Sequence, residues 1–278
     1  MGGHGGGRLE DMQVTVFGLG EAGSSIAADL VEAGAKVHGY DPADVPTPPG
    51  VRRHQTPQPS VRGSQLVLAV TSAVDSRSAL AQAAETIEPG TIYADLSTAP
   101  PGLKEELAEH ATSAHLPFAD VALLAPVPDH GLATPSLVSG PGARRYVAIV
   151  DDLGGQAEFL SDHPGDAAGH KLLRSVVTKG LTSLLIESLE GAEANGSTDW
   201  VWAHLVEFLG SIDEGMLNRL IGGTPRHVKR RIVEMEAAQE FLVSLGVSPT
   251  MTEATVAALR LVEADGIGGY ATRGGGDG

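Results

Sequence analysis

The sequence predicts an α/β fold in which a Rossmann-type, doubly wound parallel sheet is followed by an all-α C-terminal domain. A glycine-rich turn joins a short apolar strand directly to a helix near the N-terminus. Strands then alternate with helices up to about residue 150. From about residue 165 the apolar residues recur at helical spacing, and no strand pattern returns.

The glycine turn carries the first chemical signal. A strand from Val14 runs into the pattern G-x-G-x-x-G at residues 18–23, and a helix follows at 24–33. In such a turn the first glycine permits the tight bend, the second lets a pyrophosphate approach the backbone, and the third lets helix and strand pack closely. The helix N-terminus favours phosphate. We therefore predict dinucleotide binding by the turn residues Gly18, Leu19, Gly20, Glu21, Ala22 and Gly23. The alternative is a glycine-rich turn in another kind of α/β protein.

The predicted second strand, 35–40, ends at Asp41, which lies 21 residues after Gly20 (41 − 20 = 21). An acidic residue about 20 residues on accepts hydrogen bonds from the adenine ribose and repels a 2′-phosphate. Asp41 therefore favours NAD over NADP. Arg52 and Arg53 favour NADP, if the proline-rich loop before them folds back over the ribose.

The remaining elements of this half follow from short apolar runs. We predict mostly loop at 42–59, helices at 75–87 and 103–114, and parallel strands at 65–70, 91–96, 117–124, 134–139 and 146–150. Ligands of such sheets bind beyond the carboxyl ends of the strands. That rule places four polar residues beside the cofactor: Thr71, Ser72, Ser97 and Thr98. We also predict that Ser97 and Thr98 contact the substrate.

In the second half of the chain, the spacing of apolar residues predicts helices at 170–194, 200–212, 226–245 and 251–263. We divide the chain into a flexible extension, a Rossmann-type dinucleotide-binding domain, an all-α substrate and dimerisation domain, and a flexible tail, at 1–11, 12–164, 165–268 and 269–278. On the long helix a polar stripe recurs at three- and four-residue spacing: Lys171, Arg174, Ser175, Thr178 and Thr182. The stripe indicates either a helix that lines a cleft or the solvated face of a surface helix.

Composition excludes several kinds of function. The formal net charge of −16 argues against nucleic-acid and anionic-membrane partners. An anionic substrate therefore needs a local basic cluster, and the densest surrounds His227 and Arg230, which share one helix face. That cluster is an anion anchor or a solvated face with an Arg230–Glu234 pair. Without cysteine or a paired-histidine spacing we expect no metal and no thiol chemistry. No apolar run approaches about 18 residues, so we expect no membrane span and a cytoplasmic location.

Three segments together resemble the β-hydroxyacid dehydrogenases, which include 3-hydroxyisobutyrate and 6-phosphogluconate dehydrogenases. They are the glycine turn at 17–23, Asp-Leu-Ser-Thr at 95–98, and Gly-Asp-Ala-Ala-Gly-His-Lys at 165–171. The resemblance implies a Rossmann domain followed by an all-α domain that pairs in a homodimer, with Lys171 as the catalytic lysine. The sequences at 171–180 and 227–235 resemble one branch with a C-terminal helical domain of unknown function.

The chain departs from that family where substrate is held. The family usually has Asp-x-Pro-Val-Ser-Gly-Gly, whereas residues 120–126 read Asp-Val-Ala-Leu-Leu-Ala-Pro and place Ala122 in the substrate loop. Asparagines that follow the family's lysine are replaced here by Arg174 and Ser175. Thr178 stands where the decarboxylating enzymes have glutamate, which argues against that reaction. The resemblance therefore transfers the fold and the hydride chemistry but not the substrate.

Lys171 has a coherent chemical task in this interpretation. Oxidation of an alcohol removes the hydroxyl proton as hydride leaves, and a lysine whose pKa is lowered can accept that proton near neutral pH. Arg174 would lower that pKa or bind a substrate carboxylate. We predict an NAD(P)-dependent oxidoreductase acting on a small anionic hydroxy acid or its keto form. The rivals are an imine reductase, a class that generally lacks the lysine, and a dinucleotide-binding sensor without catalysis.

Overall fold

The structure is a computed structural model that describes residues 11–268. The predicted N-terminal extension, apart from its last residue, and the whole predicted C-terminal tail lie outside the described residues. The chain forms two compact units that divide between Arg174 and Ser175. The predicted domain boundary at 164/165 stays a prediction. Among residues 11–268 no helix is both long and apolar enough to cross a membrane.

The N-terminal unit is built on one eight-stranded sheet. Its spatial order is β3-β2-β1-β4-β5-β6-β7-β8. The strands are β1 (Gln13–Phe17), β2 (Lys36–Tyr40), β3 (Arg52–His54), β4 (Leu66–Ala69), β5 (Ile92–Asp95), β6 (Phe118–Leu123), β7 (Ser136–Ser139) and β8 (Ala157–Ser161). Neighbouring strands are parallel except at the β6–β7 pair, where Val121 faces Val138 in an antiparallel register. The predicted fold class, a Rossmann-type doubly wound sheet followed by helices, is confirmed.

Helices cover both faces of this sheet. They are α1 (Glu21–Glu32), α2 (Pro57–Val61), α3 (Ser76–Ala84), α4 (Pro101–Ser113) and α5 (Ala143–Asp152), with a 3-10 turn at Gly131–Ala133. Strand β4 shows why the strands read as continuous apolar runs. Leu66 and Leu68 belong to one buried cluster, and Val67 and Ala69 belong to the other. Because both faces of β4 are buried, apolar residues occupy all four of its positions.

One predicted element of this unit is wrong, and another is incomplete. The segment 42–59 is mostly loop, as predicted, but it also contains β3 and the start of α2. Strand β3 is a three-residue edge strand, too short to show a period, and Pro57 lies in the first turn of α2, where its missing N–H costs nothing. The strand predicted at 146–150 lies within helix α5. Tyr146 and Val150 are its buried positions, four residues apart on one helical face.

The prediction also missed elements and one strand direction. The sheet is not wholly parallel, because β7 runs antiparallel to β6. Strand β8 was not predicted. It lies at the sheet edge, where its side chains are at most half-buried, so it shows no clear apolar pattern. In the helical half, the helix Glu214–Gly222 was missed although Asp213 caps it, accepting a hydrogen bond from the Met216 N–H at 2.7 Å.

The C-terminal unit is entirely helical in its described part. Its helices are α6 (Asp166–Ala194, which begins in the N-terminal unit), α7 (Thr198–Gly210), α8 (Glu214–Gly222), α9 (Thr224–Ser244) and α10 (Thr250–Asp265). Its buried apolar cluster is small and joins Val228 and Ile232 of α9 to Val256 of α10. Many large apolar side chains of this unit are exposed.

Helix α10 obtains its N-terminal cap from another helix. Its own N-cap residue is Pro249, which offers no side-chain acceptor. Glu187 of α6 is buried, and its carboxylate accepts hydrogen bonds from the Met251 N–H at 2.6 Å, the Thr252 N–H at 2.9 Å and the Thr252 hydroxyl at 2.6 Å. A carboxylate at this position accepts hydrogen bonds from the otherwise unpaired N–H groups of the first turn, and its negative charge interacts favourably with the helix dipole.

We expect Glu187→Ala to lower the free energy of unfolding by about 2 kcal/mol, because it leaves buried donors of α10 without an acceptor. Chemical denaturation followed by circular dichroism measures this change. Glu190→Ala, at an exposed position on the same helix, is the matched control and should change stability by less than about 0.5 kcal/mol. Equal stability of the two variants would contradict the capping role.

Candidate active site

The glycine turn lies between β1 and α1. Gly18 has a φ of +85°, which side-chain-bearing residues rarely adopt, and its N–H donates to the Tyr40 carbonyl at 2.9 Å. Gly23 is buried, and a Cβ added there would overlap the Gly18 carbonyl oxygen. Gly20 has an ordinary φ of −65° and nothing within 4 Å of an added Cβ. The turn therefore needs glycine for its own geometry at residues 18 and 23, whereas the space beside Gly20 is open.

Asp41 follows β2 and reaches across to this turn. One carboxylate oxygen accepts the Leu19 N–H at 2.7 Å, and the other accepts the Ala43 N–H at 2.8 Å. Arg53 is engaged with the loop that follows Asp41. Its guanidinium donates to the backbone carbonyls of Asp41, Ala43 and Val45. Arg53 therefore holds the loop together through three hydrogen bonds to the chain's own backbone.

A cleft of about 460 Å³ opens beside the glycine turn and Asp41. Its lining includes Thr71, whose hydroxyl is buried without a hydrogen-bond partner in the described chain. The open space at Gly20 and this unpaired hydroxyl fit a dinucleotide. The lining residues are Phe17, Gly18, Gly20, Tyr40, Asp41, Pro42, Val70, Thr71, Ser72, Asp75, Ser78, Ala79 and Gln82.

Sequence reasoning missed one wall of this cleft and included residues that do not line it. Asp75, Ser78 and Gln82 lie on one face of α3 and its start, a spacing of three and four residues that could have predicted them. Among the predicted cofactor residues, Leu19, Glu21, Ala22 and Gly23 belong to the turn but not to the lining, and Ser97 lies elsewhere.

Ser97 lines a second, narrow recess with Lys171. The Lys171 ammonium donates to the Thr98 hydroxyl at 3.1 Å. The recess brings together four residues that the sequence predicts to bind substrate or to act in catalysis. They lie in the N-terminal unit and are Ser97, Thr98, Ala122 and Lys171. The recess is lined by Ser97, Thr98, Ala99, Asp120, Ala122, Ala168, Lys171 and Leu172.

The first turn of α6 places Lys171 in the recess. Asp120 of β6 accepts the Ala168 N–H at 3.0 Å, and the Ser139 hydroxyl of β7 accepts the Ala167 N–H at 3.0 Å. These two side chains act as the N-terminal caps of α6. Lys171 follows Ala168 by three residues, so it projects from the same side of the helix about one turn later.

Beneath the recess lies a buried ion cluster that sequence reasoning did not identify. Lys104 is fully buried and pairs with Asp95 at 2.6 Å and Asp120 at 3.1 Å. A signal was present, because Lys104 shares a helical face with Leu107, Ala108 and Ala111. A lysine on an apolar face needs a buried partner.

The surroundings lower the pKa of Lys171. Burial is the largest cause, followed by the positive charge of Lys104. Asp120 opposes the effect, and the positive charge of Arg174 adds to it. A lower pKa increases the fraction of neutral amine near neutral pH, which is the form that accepts a proton.

The remaining predicted substrate residues are more dispersed. Arg174 is exposed, one turn beyond Lys171 on α6. Ser175 and Thr178 are half-buried at the start of the C-terminal unit, and His227 and Arg230 are exposed on α9. Their roles in substrate binding stay predictions. Within residues 11–268 no group of three or more histidine, aspartate or glutamate side chains is arranged to hold a metal ion.

Two family descriptions match the chain. Residues 13–127 match the NAD binding domain of 6-phosphogluconate dehydrogenase, and residues 192–262 match a domain of unknown function, DUF1932. The resemblance to the β-hydroxyacid dehydrogenases and to a branch with an uncharacterised helical domain is confirmed by these matches. The first match also makes residues 13–127 an NAD(P)-binding domain.

Individual relatives match over nearly the whole chain. An uncharacterized 28.5 kDa protein of Methanothermus fervidus is 22% identical, over 88% of this chain and 96% of its own length. A conserved hypothetical protein from Sinorhizobium meliloti is 26% identical with a TM-score of 0.59, over 96% and 91% of the two chains. An imine reductase from Myxococcus stipitatus, in complex with NADP+, is 17% identical with a TM-score of 0.79, over 91% and 95%. A V8 variant of the latter is in complex with NAD+.

Proposed function

Residues 13–127 are an NAD-binding domain of the 6-phosphogluconate dehydrogenase type, and from this we propose the reaction of the chain. We propose that it transfers hydride between a nicotinamide cofactor and a small anionic hydroxy acid or its keto form. Lys171 is the general acid and base. The observation that carries this proposal is the Lys171 amine, which has a lowered pKa and a hydrogen bond to Thr98 in a recess at the ends of β5 and β6. A cytoplasmic location belongs to the same proposal.

The residues present divide the work of such a reaction. Gly20, Asp41 and Thr71 would hold the dinucleotide, which accepts or supplies the hydride when bound. As the substrate C–H bond breaks, neutral Lys171 takes the hydroxyl proton on Nζ, and the C–O bond becomes a carbonyl. In the reverse direction the ammonium returns that proton to the developing alkoxide. The Thr98 hydroxyl accepts a hydrogen bond from the amine and directs it. The neighbouring Ser97 hydroxyl is buried and donates to Asp95, so Ser97 supports this turn.

Steady-state assays test the reaction class. We expect NAD(P)H to appear when the full chain is incubated with NAD+ or NADP+ and at least one member of a panel of hydroxy acids, sugar acids and phosphonates. Binding of the cofactor without turnover on any member would instead support the non-catalytic sensor. The loss of the family's serine and glycines from residues 120–126 is the sequence feature that favours that outcome.

The structural neighbours favour imine reduction as the second candidate. An imine reductase shares the fold with this chain, at an identity that supports the fold alone. Lys171 argues for the alcohol reaction, because that residue belongs to the dehydrogenase resemblance. Turnover of cyclic imines with NADPH, and none of hydroxy acids with NAD+, would establish the second candidate.

We expect the protein to bind NAD more tightly than NADP, because Asp41 borders the cleft and Arg53 is engaged by three backbone carbonyls of the loop. Asp41→Ser should shift the ratio of the two dissociation constants toward NADP by about tenfold, or about 1.4 kcal/mol. Fluorescence titration measures both constants. Asp44→Ser, in the same loop but exposed, is the control and should leave the ratio unchanged. NADP binding more than tenfold tighter to the native protein would refute the assignment.

We propose a homodimer formed through the C-terminal unit. Trp202, Val206 and Leu261 are 59%, 60% and 65% exposed, and a second copy would cover such apolar surface. Sedimentation velocity should show a dimer at micromolar concentration, and Val206→Glu should shift it toward monomer. Glu207→Gln, at the neighbouring exposed position, is the control. A native protein that sediments as a monomer would rule out the dimer.

A further inference from the structure

Lys104 is a fully buried lysine that takes no direct part in the proposed reaction. Its side chain is 1% exposed, and it extends from α4 to Asp95 at the end of β5 and to Asp120 within β6. The ammonium donates to the Asp95 carboxylate at 2.6 Å and to the Asp95 carbonyl at 2.8 Å, and it pairs with Asp120 at 3.1 Å. Removal of a lysine from water is costly, and only close, well-directed partners offset the cost.

The two carboxylates each bind a segment that contacts or carries Lys171. Asp95 accepts hydrogen bonds from the Ser97 N–H at 3.2 Å and the Ser97 hydroxyl at 2.5 Å, directly before Thr98, the hydrogen-bond partner of Lys171. Asp120 accepts the Ala168 N–H of α6 at 3.0 Å and lines the recess beside Lys171. Lys104 is the ion that these two carboxylates share.

We propose that Asp95, Lys104 and Asp120 form a buried positioning triad for Lys171, in which Lys104 is the common counter-ion that holds the Ser97–Thr98 turn and the first turn of α6 in place around the amine. The proposal rests on the proposed function only in treating Lys171 as the proton-transfer group. The members of the triad act on Lys171 through their charges and through the residues that they hold beside it, so they are positioning residues.

Charge gives the triad a signature that packing alone does not have. The charged groups that act on Lys171 are Lys104 from α4, Asp120 from β6 and Arg174 from α6 itself. Removal of the Lys104 charge should raise the pKa of Lys171, and removal of the Asp120 charge should lower it further. A purely structural role predicts one direction for both variants, because a loosened site admits water and returns the pKa toward its ordinary value.

Competitive acetylation tests this signature without a substrate. The full-length protein is labelled with acetic anhydride across a pH series, and mass spectrometry gives the rate at Lys171 relative to exposed Lys36 as an internal standard. For Lys104→Met we expect a three- to tenfold smaller neutral fraction of Lys171 at a fixed pH, roughly the scale of one nearby charge in a partly buried site. For Asp120→Asn we expect a larger neutral fraction, and for Lys104→Arg a fraction near the native one.

The double variant Lys104→Met/Asp120→Asn should return Lys171 toward native reactivity, because it removes one charge of each sign. Shifts of the same sign in both single variants, or no shift in either, would overturn the triad. If Lys104→Met does not fold, the sign of the Asp120→Asn shift decides alone. Failure of the proposed reaction is separate, because it would show as native turnover in a Lys171 variant whatever the labelling result.

Discussion

Replacement of Lys171 by methionine should lower kcat by about 10²–10⁴, the usual scale of general acid–base catalysis. Methionine keeps much of the side-chain length but cannot carry a proton. NAD affinity should change little, because Lys171 does not line the cleft beside the glycine turn. The measurement is steady-state turnover on the first substrate that the native protein accepts, together with a cofactor titration.

The control for this variant lies on the same helix. Lys179→Met makes the same chemical change at an exposed position two turns further along and should leave kcat near native. Lys171→Arg should fail nearly as badly as methionine, because guanidinium does not release its proton near neutral pH. Near-native turnover of Lys171→Met would end the mechanism proposed here.

The pH dependence of the native enzyme follows from the same residue. Oxidation requires neutral Lys171, so its rate should rise with pH through the pKa of that amine. Because burial and Lys104 lower this pKa, the rise should lie below the range of an ordinary lysine. Reduction requires the protonated amine and should show the opposite slope.

Two glycines of the turn should respond to alanine in different ways. Gly23→Ala places a methyl group on the Gly18 carbonyl oxygen and should cost about 3 kcal/mol of stability or more, since backbone on both sides must move. Gly20→Ala meets no atom of the chain and has an ordinary φ, so the fold should persist. Its methyl group would instead occupy space beside the cleft, and NAD affinity should fall about tenfold or more.

Thermal unfolding and NAD titration of both variants separate these effects. Gly102→Ala, where an added Cβ also meets nothing within 4 Å but which lies on α4, is the control for Gly20→Ala and should leave cofactor affinity unchanged. If the Gly20→Ala protein binds NAD as tightly as the native one, the glycine turn is not part of the binding site. A Gly23→Ala protein of native stability would show that the close packing of α1 on β1 is not required.

Local signals explain what sequence reasoning could predict. The strand, glycine turn and helix that begin at Gln13 form one continuous segment, so their pattern sufficed for the fold class. Elements at the sheet edge, such as β8, were missed because their side chains are only half-buried and show no strong alternation. Helix α5 was interpreted as a strand because its apolar positions, taken over only five residues, fit either period.

The buried cluster at Lys104 shows a second limit. Asp95 and Asp120 lie 9 residues before and 16 residues after Lys104, and only the pairing of β5 with β6 brings both carboxylates to one ammonium (104 − 95 = 9; 120 − 104 = 16). The apolar face around Lys104 indicates that this lysine is buried, but the local sequence does not show which carboxylates will pair with it. Lys171 could be singled out by family resemblance, whereas the groups that adjust its pKa required the three-dimensional arrangement.

The hydrogen bonds that Asp41 and Arg53 make also bear on how tightly a ligand can be bound. The carboxylate of Asp41 secures the Leu19 N–H, and the guanidinium of Arg53 gathers three carbonyls of the adjoining loop. These contacts hold the turn and the loop in shape from within the chain. Most of the conformational entropy of this rim is then lost during folding rather than on association, a preorganisation that favours tight binding from few contacts.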